Sequence, residues 1–450
     1  MANKDAGNGV VRGRRSSVAD LHVDKSDILN ISDIMGDAGW YAKDRMEAFK
    51  VYKDTPMPSL EDEAWRRTDI SGVDWEKFSK AIRDNDVDNM AEVPEYLLNP
   101  LVGDRQGGQI VVSGRKVLQS SLADEASSKG VIFTDFVSAT QNHGELFSGY
   151  VSKLVSISDG KHASMAGAMV DQGIFVYVPA GIQVEMPLHS VLWLNRIANF
   201  TRVVIAVEKG GSLTYVHEIS SNDEDSEQLH AGTVEVFVGD NAELKFVEMQ
   251  SLGENCYHFS HEKSQVGRDA RLDWVFSAIG SKLTKSFLDL DLVGNGAWGR
   301  MSGFYFAAGK QHMDHDTQQN HRAEGQTSDL LFKGALRDGS RSVWQGMINV
   351  EPGAQKTDGF QANRNLLLAK EARADSIPGL EIQADDVRCT HAATISKLEE
   401  EHLFYLMSRG IHLEEARKVV VDGFFDPIME RIPFEGVRER LKSSVVDKMA

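Results

Sequence analysis

A motif of the form V-G-x-x-A recurs at nearly constant spacing and constrains the fold of this chain more than any other sequence feature. It reads VGDNA at 238–242, VGRDA at 266–270 and VGNGA at 293–297. The three copies start 28 and then 27 residues apart. A fixed period of this size is typical of a solenoid, in which each unit buries its apolar face by stacking on the next. Gly, Asp and Asn within the motif favour tight corners with positive φ.

Short runs rich in valine, isoleucine and phenylalanine surround these motifs and predict β-strands. The clearest runs lie at 109–112, 173–178, 203–207, 212–217, 233–238, 243–248, 271–276 and 287–293. Turns every 8 to 15 residues exclude helical repeats. Two or three strands per period are also too few for a β-propeller blade, which has four strands in about 40–45 residues. We therefore predict a mainly β fold, a β-helix, with an antiparallel β-sandwich as the alternative.

The remaining sequence divides around this β-rich core. Ile28, Ile31 and Ile34 recur at helical spacing. After the last predicted strand the period becomes helical again, and we expect Asp426–Pro427 and Ile432–Pro433 to break the helices there. The predicted regions are a disordered tail (1–23), an N-terminal helical region (24–100), a β-helix core (101–396) and a C-terminal helical domain (397–450).

Composition narrows the function classes. The chain has 450 residues, 49 of them basic and 67 acidic, and its net charge is -18. This charge argues against nucleic acid or an anionic membrane as the main partner. The sequence contains neither 18 consecutive apolar residues nor the apolar core of a secretory signal. With two cysteines, a disulfide framework is excluded and a reducing, cytoplasmic location is expected.

One candidate site lies at Cys389 and His391, within the segment EIQADDVRCTHAATI at 381–395. If this segment is a strand, both side chains lie on one face, because successive residues alternate sides. A thiol and an imidazole are soft ligands that suit zinc or an iron-sulfur cluster. Two donors do not complete a four-coordinate site. The pair is therefore either an ordinary buried thiol beside a histidine or half of a site that another group completes.

Two other groups of side chains are candidate metal sites. The segment 312–321, HMDHDTQQNH, holds three histidines among carboxylates, but a strand would place His315 and His321 opposite His312. A polar outer ladder with hydrogen bonds between neighbouring turns is the alternative interpretation. His258, beside Cys256, is interpreted as a core histidine with a satisfied hydrogen bond. Phosphate-loop and nucleophile-elbow motifs do not occur in the sequence.

Several segments together resemble the SufB/SufD family of iron-sulfur cluster assembly scaffolds. These are EAWRRT (63–68), HMDHDTQQNHR (312–322), QANRNLLL (361–368), SIPGLEIQADDVRCTHAAT (376–394), EHLFYLMSRG (401–410) and EEARKVVVDGFFDP (414–427). The resemblance extends from about residue 55 to the C-terminus. SufB-type chains carry a cysteine in the turn before the paired apolar strand, whereas QANRN at 361–365 contains none. Within the family, the chain is thus similar to the SufD type.

The resemblance implies a right-handed parallel β-helix that forms a heterodimer with a SufB-type paralogue. It also implies that the C-terminal helices bind a SufC-type ATPase. His391 would be the functional residue on this side of a transient iron-sulfur cluster shared with the partner, and Cys389 would be a second candidate ligand. The chain itself would be a non-catalytic scaffold without a permanently bound cofactor.

Two alternatives remain open at this point. The first is a carbohydrate-active β-helix enzyme, although that class is commonly secreted. The second is a homodimeric scaffold that acts without a SufB-type partner.

Overall fold

The computed structural model describes residues 19–84, 92–99, 101, 106–222 and 226–449. These residues form a parallel β-solenoid with helices packed on two outer faces. Each turn of the solenoid contributes one strand to each of two sheets, which we name sheet A and sheet B. The prediction of a mainly β solenoid between two helical regions is confirmed, and the antiparallel sandwich is not observed in the described residues.

The strands of the two sheets alternate along the chain. Sheet A contains β1 (Gly108–Ser113), β2 (Lys116–Leu122), β5 (Leu188–Leu194), β7 (Ser212–Ser221), β9 (Glu243–Ser251), β11 (Arg271–Ala278), β13 (Trp298–Ala307), β15 (Thr327–Leu336), β17 (Asp358–Leu367) and β19 (Arg388–Lys397). Sheet B contains β3 (Ile132–Asp135), β4 (Gln172–Val178), β6 (Ala198–Val207), β8 (Gln228–Val238), β10 (Cys256–Val266), β12 (Leu283–Leu292), β14 (His312–His321), β16 (Arg341–Val350) and β18 (Arg373–Ile382).

Neighbouring strands within a sheet pair in parallel along the regular part of the solenoid. In sheet B, for example, Leu283 of β12 pairs with His312 of β14, which pairs with Arg341 of β16. Parallel neighbours need a long crossover connection, and here the intervening strand of the other sheet provides it. Side chains therefore stack in rows along the solenoid axis, one residue from each turn.

The V-G-x-x-A motifs form equivalent corners that lead from sheet B to sheet A. The fourth residue of each motif has a left-handed backbone, with φ of 57° at Asn241, 54° at Asp269 and 69° at Gly296. Glycine adopts this conformation freely, and Asn and Asp tolerate it better than other residues. The alanine that ends each motif is buried in the core between the sheets. The sequence period is thus the period of the solenoid.

The space enclosed between sheets A and B, which we call the lumen, is filled mainly by apolar side chains. Phe246, Trp274, Leu290 and Trp344 are among the fully buried members of this core. Burial of one such side chain contributes about 1.5–3 kcal/mol to stability. Because each turn stacks its apolar residues on those of the next, the core is continuous along the axis.

The N-terminal helices cover the outer face of sheet B. They are α1 (Lys25–Met35), α2 (Gly39–Asp54) and α3 (Trp75–Arg83), with a short 3-10 helix at Glu63–Trp65. The short helix α4 (Glu95–Leu98) packs on sheet A instead, where Leu97 is buried with Val111 and Val191. Asp24 caps the start of α1 through a capping box, and Gly36 ends this helix with a left-handed backbone. Tyr41 and Trp65 belong to the same buried cluster as Phe259 of sheet B.

The C-terminal helices cover the outer face of sheet A. They are α10 (Leu413–Met429) and α11 (Glu435–Met449), whereas α9 (Glu400–Ser408) packs against α10. Phe425 of α10 packs edge-on against Phe304 of β13, with ring centroids 5.1 Å apart. Leu441 of α11 is buried in the same cluster. Among the described residues, no helix is both long enough and apolar enough to cross a bilayer.

Three details differ from the sequence-based boundaries. Residues 1–18 of the predicted tail lie outside the described residues, whereas Leu21 and Val23 are buried in the N-terminal core. The tail prediction is therefore wrong for the last residues of 1–23, because these apolar side chains pack against the helices.

The region 101–396 contains more than solenoid turns. Four helices interrupt it, namely α5 (Asp124–Ser128), α6 (Phe136–Asn142), α7 (Gly144–Phe147) and α8 (Lys161–Met169). Every residue of α8 is buried, because this helix lies between α2 and sheet B.

The expected helix break at Asp426–Pro427 is also wrong, since α10 continues to Met429. Proline removes one backbone hydrogen bond there. Ile428 and Met429 are nevertheless buried against sheet A and hold the last turn in place. The second expected break is observed, because Ile432 and Pro433 lie between α10 and α11.

Candidate functional site at the carboxyl-terminal end of the solenoid

Cys389 and His391 lie on β19, the outermost strand of sheet A. Cys389 pairs with Gly359 of β17, and His391 pairs with Gln361. Gln361 is fully buried and faces the lumen. Since side chains alternate along a strand, Cys389 and His391 both lie on the lumen side of β19. The predicted shared face is confirmed.

The last turn of the solenoid, β18 and β19, is open to solvent, and we call it the terminal rung. Both strands are the outermost members of their sheets. Its lumen-facing apolar residues include Leu380, Ile382 and Ile395, which are 36%, 41% and 47% exposed. Each would be covered if another turn followed. Unpaired strand edges beside exposed apolar side chains are typical of a surface that another chain covers.

Cys389 is half-buried at the inner edge of this rung. Its side chain packs against a small cluster that includes Ile348 and Val350. A Cβ atom on Gly359 would lie 3.3 Å from the Cys389 sulfur, so glycine at this position leaves room for the thiol. Burial raises the pKa of Cys389, and the backbone N–H of Gly359 partly offsets this effect. The free side chain is therefore a neutral thiol near pH 7, and it loses its proton on binding a metal.

His391 is exposed, directly above a buried polar side chain. The amide nitrogen of Gln361 donates to the backbone carbonyl of Gly379 at 2.8 Å. The amide oxygen of Gln361 is buried and has no hydrogen-bond partner in the described part of the chain. This oxygen lies beside Gly346 of β16, across the lumen from β19.

Charged residues flank the pair without entering it. Arg388, next to Cys389, forms an exposed ion pair with Asp358 on the neighbouring strand. This arginine holds the pKa of Asp358 below its usual range. The ion pair ties the start of β19 to β17 and so fixes the height of Cys389 above the lumen core.

The pair does not form a complete metal site within the described residues. No group of three or more histidine, cysteine, aspartate or glutamate side chains there has the arrangement of a metal site. A four-coordinate centre at Cys389 and His391 needs donors from outside this chain or from small ligands. In the described residues, too, Cys389 and His391 are two donors of a site that needs more.

Cys256, the other cysteine, lies in the apolar core and not at the terminal rung. It is buried in the lumen core, and burial raises the pKa of its thiol far above the usual range. His258 is buried two residues later, and its Nδ1 lies 2.7 Å from Nδ1 of His230. The interpretation of His258 as a hydrogen-bonded core histidine is confirmed.

The histidine-rich segment 312–321 is strand β14, and its side chains divide between two buried environments. Asp314 points outward and forms a 3.0 Å ion pair with Lys285 on the neighbouring strand, so hydrogen bonding between turns is confirmed there. Although Asp314 lies on the outer face of sheet B, it is shielded from solvent. Thr68 of the N-terminal region packs over it and donates a hydrogen bond to its carboxylate. For His315 and His321 the prediction of an outer ladder is wrong, since both are buried on the lumen side.

A second exposed apolar surface lies on α9, which follows the terminal rung by two residues. Phe404, Tyr405 and Met407 are 73%, 59% and 46% exposed. On α10, Val419 is 46% exposed. Contiguous apolar exposure of this kind is typical of a protein-binding surface.

Sequence reasoning identified Cys389 and His391 but missed Gln361 and the exposed apolar residues of the terminal rung. The available signal for Gln361 was the solenoid period, because Gln361 precedes His391 by about one turn. The exposure of Leu380 and Ile382 has no such signal, since their local sequence resembles that of a buried strand.

Comparison with known proteins gives the family of this chain. Residues 194–424 match the family described as "SUF system FeS cluster assembly, SufBD core domain", and residues 35–189 match "SufBD protein N-terminal region". Iron-sulfur cluster assembly protein SufD of Bacillus subtilis (strain 168) is 29% identical over 437 residues, which cover 95% of this chain and 98% of that protein. An iron-sulfur cluster assembly SufBD family protein of Staphylococcus saprophyticus is 29% identical over 423 residues, which cover 91% and 89%. The chain therefore belongs to the SufBD family of iron-sulfur cluster assembly proteins.

Proposed function

We propose that this chain is a SufD-like, non-catalytic scaffold subunit that helps to build a nascent iron-sulfur cluster. In this proposal the terminal rung docks against a SufB-type paralogue, and the C-terminal helices bind a SufC-type ATPase. The cluster is cargo shared between two chains and passed on, rather than a resident cofactor.

The observation that carries the proposal is the position of His391 and Cys389. Both lie on the lumen side of a rung that has free strand edges and exposed apolar residues. A partner that covers these apolar residues would also cover the two donors. The donors that the described residues lack would then come from the partner, at the interface itself.

The chemistry of the two side chains suits such a shared site. An exposed imidazole can bind iron through one nitrogen while the other bonds to an acceptor, which water or the partner chain can supply. The Cys389 thiol releases its proton when it binds metal, so its contribution depends on pH and on the partner being in place. A cluster held by donors from two chains is released when the chains separate.

The C-terminal helices support the ATPase part of the proposal. Helices α10 and α11 are fixed to the outer face of sheet A by a buried apolar cluster. Helix α9 presents exposed aromatic side chains and is joined directly to the terminal rung. A protein that binds α9 is therefore in contact with a segment continuous with β19.

The test is the variant His391→Ala, expressed with the SufB-type and SufC-type partners. Removal of the imidazole removes one cluster ligand while the exposed surface tolerates the change. We expect visible absorption of the cluster, after anaerobic supply of iron and sulfide, to fall several-fold. The assembled complex is measured separately by size-exclusion chromatography and is expected to be intact.

His22→Ala is the matched control, because His22 is also exposed but lies in the N-terminal region, away from the terminal rung and α9. We expect normal cluster loading for this variant. Normal loading of His391→Ala in an intact complex would refute the assigned role.

The two alternative functions are separated by simple measurements. A homodimer would use the same terminal rung, and light scattering of the chain alone and with the SufB-type paralogue distinguishes the two assemblies. A dimer that ignores the paralogue would favour the homodimeric scaffold. The family of the chain gives no support to the carbohydrate-active alternative. Hydrolysis of a glycan by the purified chain would be evidence for it.

A further inference from the structure

A cluster of ionisable side chains lies inside the lumen, away from the terminal rung. It consists of His217 on β7, His230 on β8, Glu248 on β9, and His258 and Glu262 on β10. All five are at most 4% exposed. Burial of so many ionisable groups in one core is costly unless they are hydrogen-bonded or neutral.

Two of the histidines belong to a chain of hydrogen bonds that requires at least one of them to be neutral. Thr201 lies 2.8 Å from Nε2 of His230, and Nδ1 of His230 lies 2.7 Å from Nδ1 of His258. Two Nδ1 atoms can share a hydrogen only if one of them is unprotonated. Burial lowers the pKa of His258 to about 3, in agreement with this geometry.

The two glutamates form a buried carboxyl pair that lines one cavity. Burial raises the pKa of both groups, and the two carboxyls interact with each other. Two ionised carboxylates so close together in a buried site would repel each other without hydration to offset the cost, so the pair holds at least one proton. The hydroxyl of Ser260 donates to Glu262 at 2.7 Å, and the indole N–H of Trp274 donates to Glu248 at 3.3 Å.

A small cavity lies between these groups. Its volume is about 20 Å³, and its lining includes all three histidines and both glutamates. One oxygen of Glu262, Oε2, is buried and has no hydrogen-bond partner among the described residues. A cavity needs about 10–15 Å³ and at least two polar neighbours to hold a water molecule. The volume fits one water and excludes larger guests.

We propose that this cavity is a binding site for a single water molecule, which donates to Oε2 of Glu262 and completes a proton-sharing network across the lumen. The network joins β7, β8, β9 and β10 through side chains rather than through the backbone ladders. Lys285 of the adjacent strand β12 is directed away from it, toward Asp314. The other titratable groups that line the cavity are the three histidines, and burial lowers the pKa of each so that all three are neutral near pH 7.

The site makes the middle of the solenoid sensitive to alkaline pH. Burial raises the pKa of Glu262 to about 7, and burial beside Glu262 raises that of Glu248 well above its usual range. Between the ordinary glutamate pKa and about 7 the folded chain holds a proton that the unfolded chain releases. The contribution to stability is complete at low pH and is lost as the pH rises through about 7.

The water is tested directly by a crystal structure of the full chain at pH 6, at a resolution that shows ordered solvent. We expect one peak in the cavity, about 2.6–3.2 Å from Oε2 of Glu262. An empty cavity, or an ion with shorter contacts to several donors, would overturn the proposal.

The proton is tested by urea unfolding of the wild type and of Glu262→Gln between pH 5.5 and 8.5. The amide keeps the shape and supplies a donor to Glu248, so the variant is expected to fold. The ratio of the two unfolding equilibrium constants should change by about tenfold or more across this range, with the wild type losing more stability as the pH rises. The histidines are present in both proteins, and their effect cancels in the ratio.

Glu243→Gln is the matched control, because Glu243 lies on the same strand as Glu248 but is exposed. Its pH profile should run parallel to that of the wild type. Profiles of Glu262→Gln and of the double variant Glu248→Gln/Glu262→Gln that both run parallel to the wild type would show that the pair holds no proton and would refute the network. If the single variant unfolds, the double variant Glu248→Gln/Glu262→Gln is measured instead, with the same expected loss of pH dependence.

Discussion

The ion pair between Lys285 and Asp314 is fully buried where the N-terminal region meets sheet B. The variant Asp314→Ala leaves the lysine charge buried without its partner, and we expect it to lower the free energy of unfolding by about 3–5 kcal/mol. Urea denaturation at pH 7 measures this loss.

The exposed ion pair between Lys356 and Glu324 offers a matched control. It also joins neighbouring turns, but water solvates both groups. Glu324→Ala is expected to change stability very little. Equal losses for the two variants would contradict the view that burial, rather than pairing between turns, makes the Lys285 pair important.

His315 is a second residue whose environment sets a testable pH dependence. It lies in the lumen between the rings of Phe276 and Tyr305, and neither of its nitrogens has a hydrogen-bond partner among the described residues. Burial lowers the pKa of His315 to about 3. The neutral ring stabilises the fold fully above about pH 6.5, and this contribution is lost as the pH falls toward 3.

We therefore expect His315→Phe to be less sensitive to acid than the wild type. The ratio of their unfolding equilibrium constants should change by about tenfold or more between pH 7 and pH 5, in favour of the variant. Urea denaturation at each pH checks this expectation. His402→Phe, on exposed α9, should show no such change. If His315→Phe has the same pH dependence of unfolding as the wild type, His315 does not cause the sensitivity to acid.

At the residue scale, the sequence predicted what alternation and turn chemistry determine. Cys389 and His391 share a face because they are two residues apart on a strand. Asn241 stands at a left-handed corner because few residues tolerate that backbone. The burial of Asp314 and His315 was not predictable in the same way, since a polar strand gives no sign of what will cover it.

At the element scale, the strands that sequence analysis found are those with apolar lumen faces. β14 was recognised only as a polar segment, because its lumen face carries His315, Thr317 and Gln319 in place of apolar residues. Its place in sheet B is set by backbone pairing with β12 and β16. Regular neighbours therefore impose a strand on a sequence that does not favour one locally.

Helix α9 is the element for which we predict a binding function. Phe404→Asp places a charge on its most exposed aromatic position and is expected to weaken binding of a SufC-type ATPase at least tenfold. Deletion of the C-terminal helices is a poorer test, because it would uncover the apolar outer face of sheet A. Pull-down or calorimetry with the purified ATPase measures the effect.

Leu29→Asp on α1 is the control for this helix, because Leu29 is also exposed and helical but belongs to the N-terminal region. It should bind the ATPase normally. Retained binding by Phe404→Asp would remove α9 from the proposed interface.

At the scale of the whole molecule, the helical regions leave one end of the solenoid uncovered. The N-terminal region covers sheet B and the C-terminal helices cover sheet A, whereas the terminal rung is exposed. The resemblance of segments such as 376–394 predicted which residues in the sequence are candidates for the functional site. The sequence did not predict that these residues lie at an open end of the solenoid. Their exposure depends on which turn is last and on which faces the helices cover.

This open end gives a prediction about assembly. Ile382→Asp adds a charge to the lumen face of the terminal rung and should weaken pairing with a SufB-type paralogue at least tenfold. Ile34→Asp is the matched control, because Ile34 is equally exposed, at 41%, on α1. Analytical ultracentrifugation of each variant with the paralogue checks both, and unchanged pairing of Ile382→Asp would place the interface elsewhere.

The parallel stacking of strands within each sheet also fixes how the length of this molecule can vary. Adding or removing part of a turn would shift the alternation and move lumen residues to the outside. A complete turn, 27 or 28 residues in the V-G-x-x-A region, changes the length by the spacing of neighbouring strands, about 4.8 Å. The length of the solenoid can therefore change only in steps of one turn. The distance along the axis from the N-terminal helices to His391 corresponds to a whole number of turns.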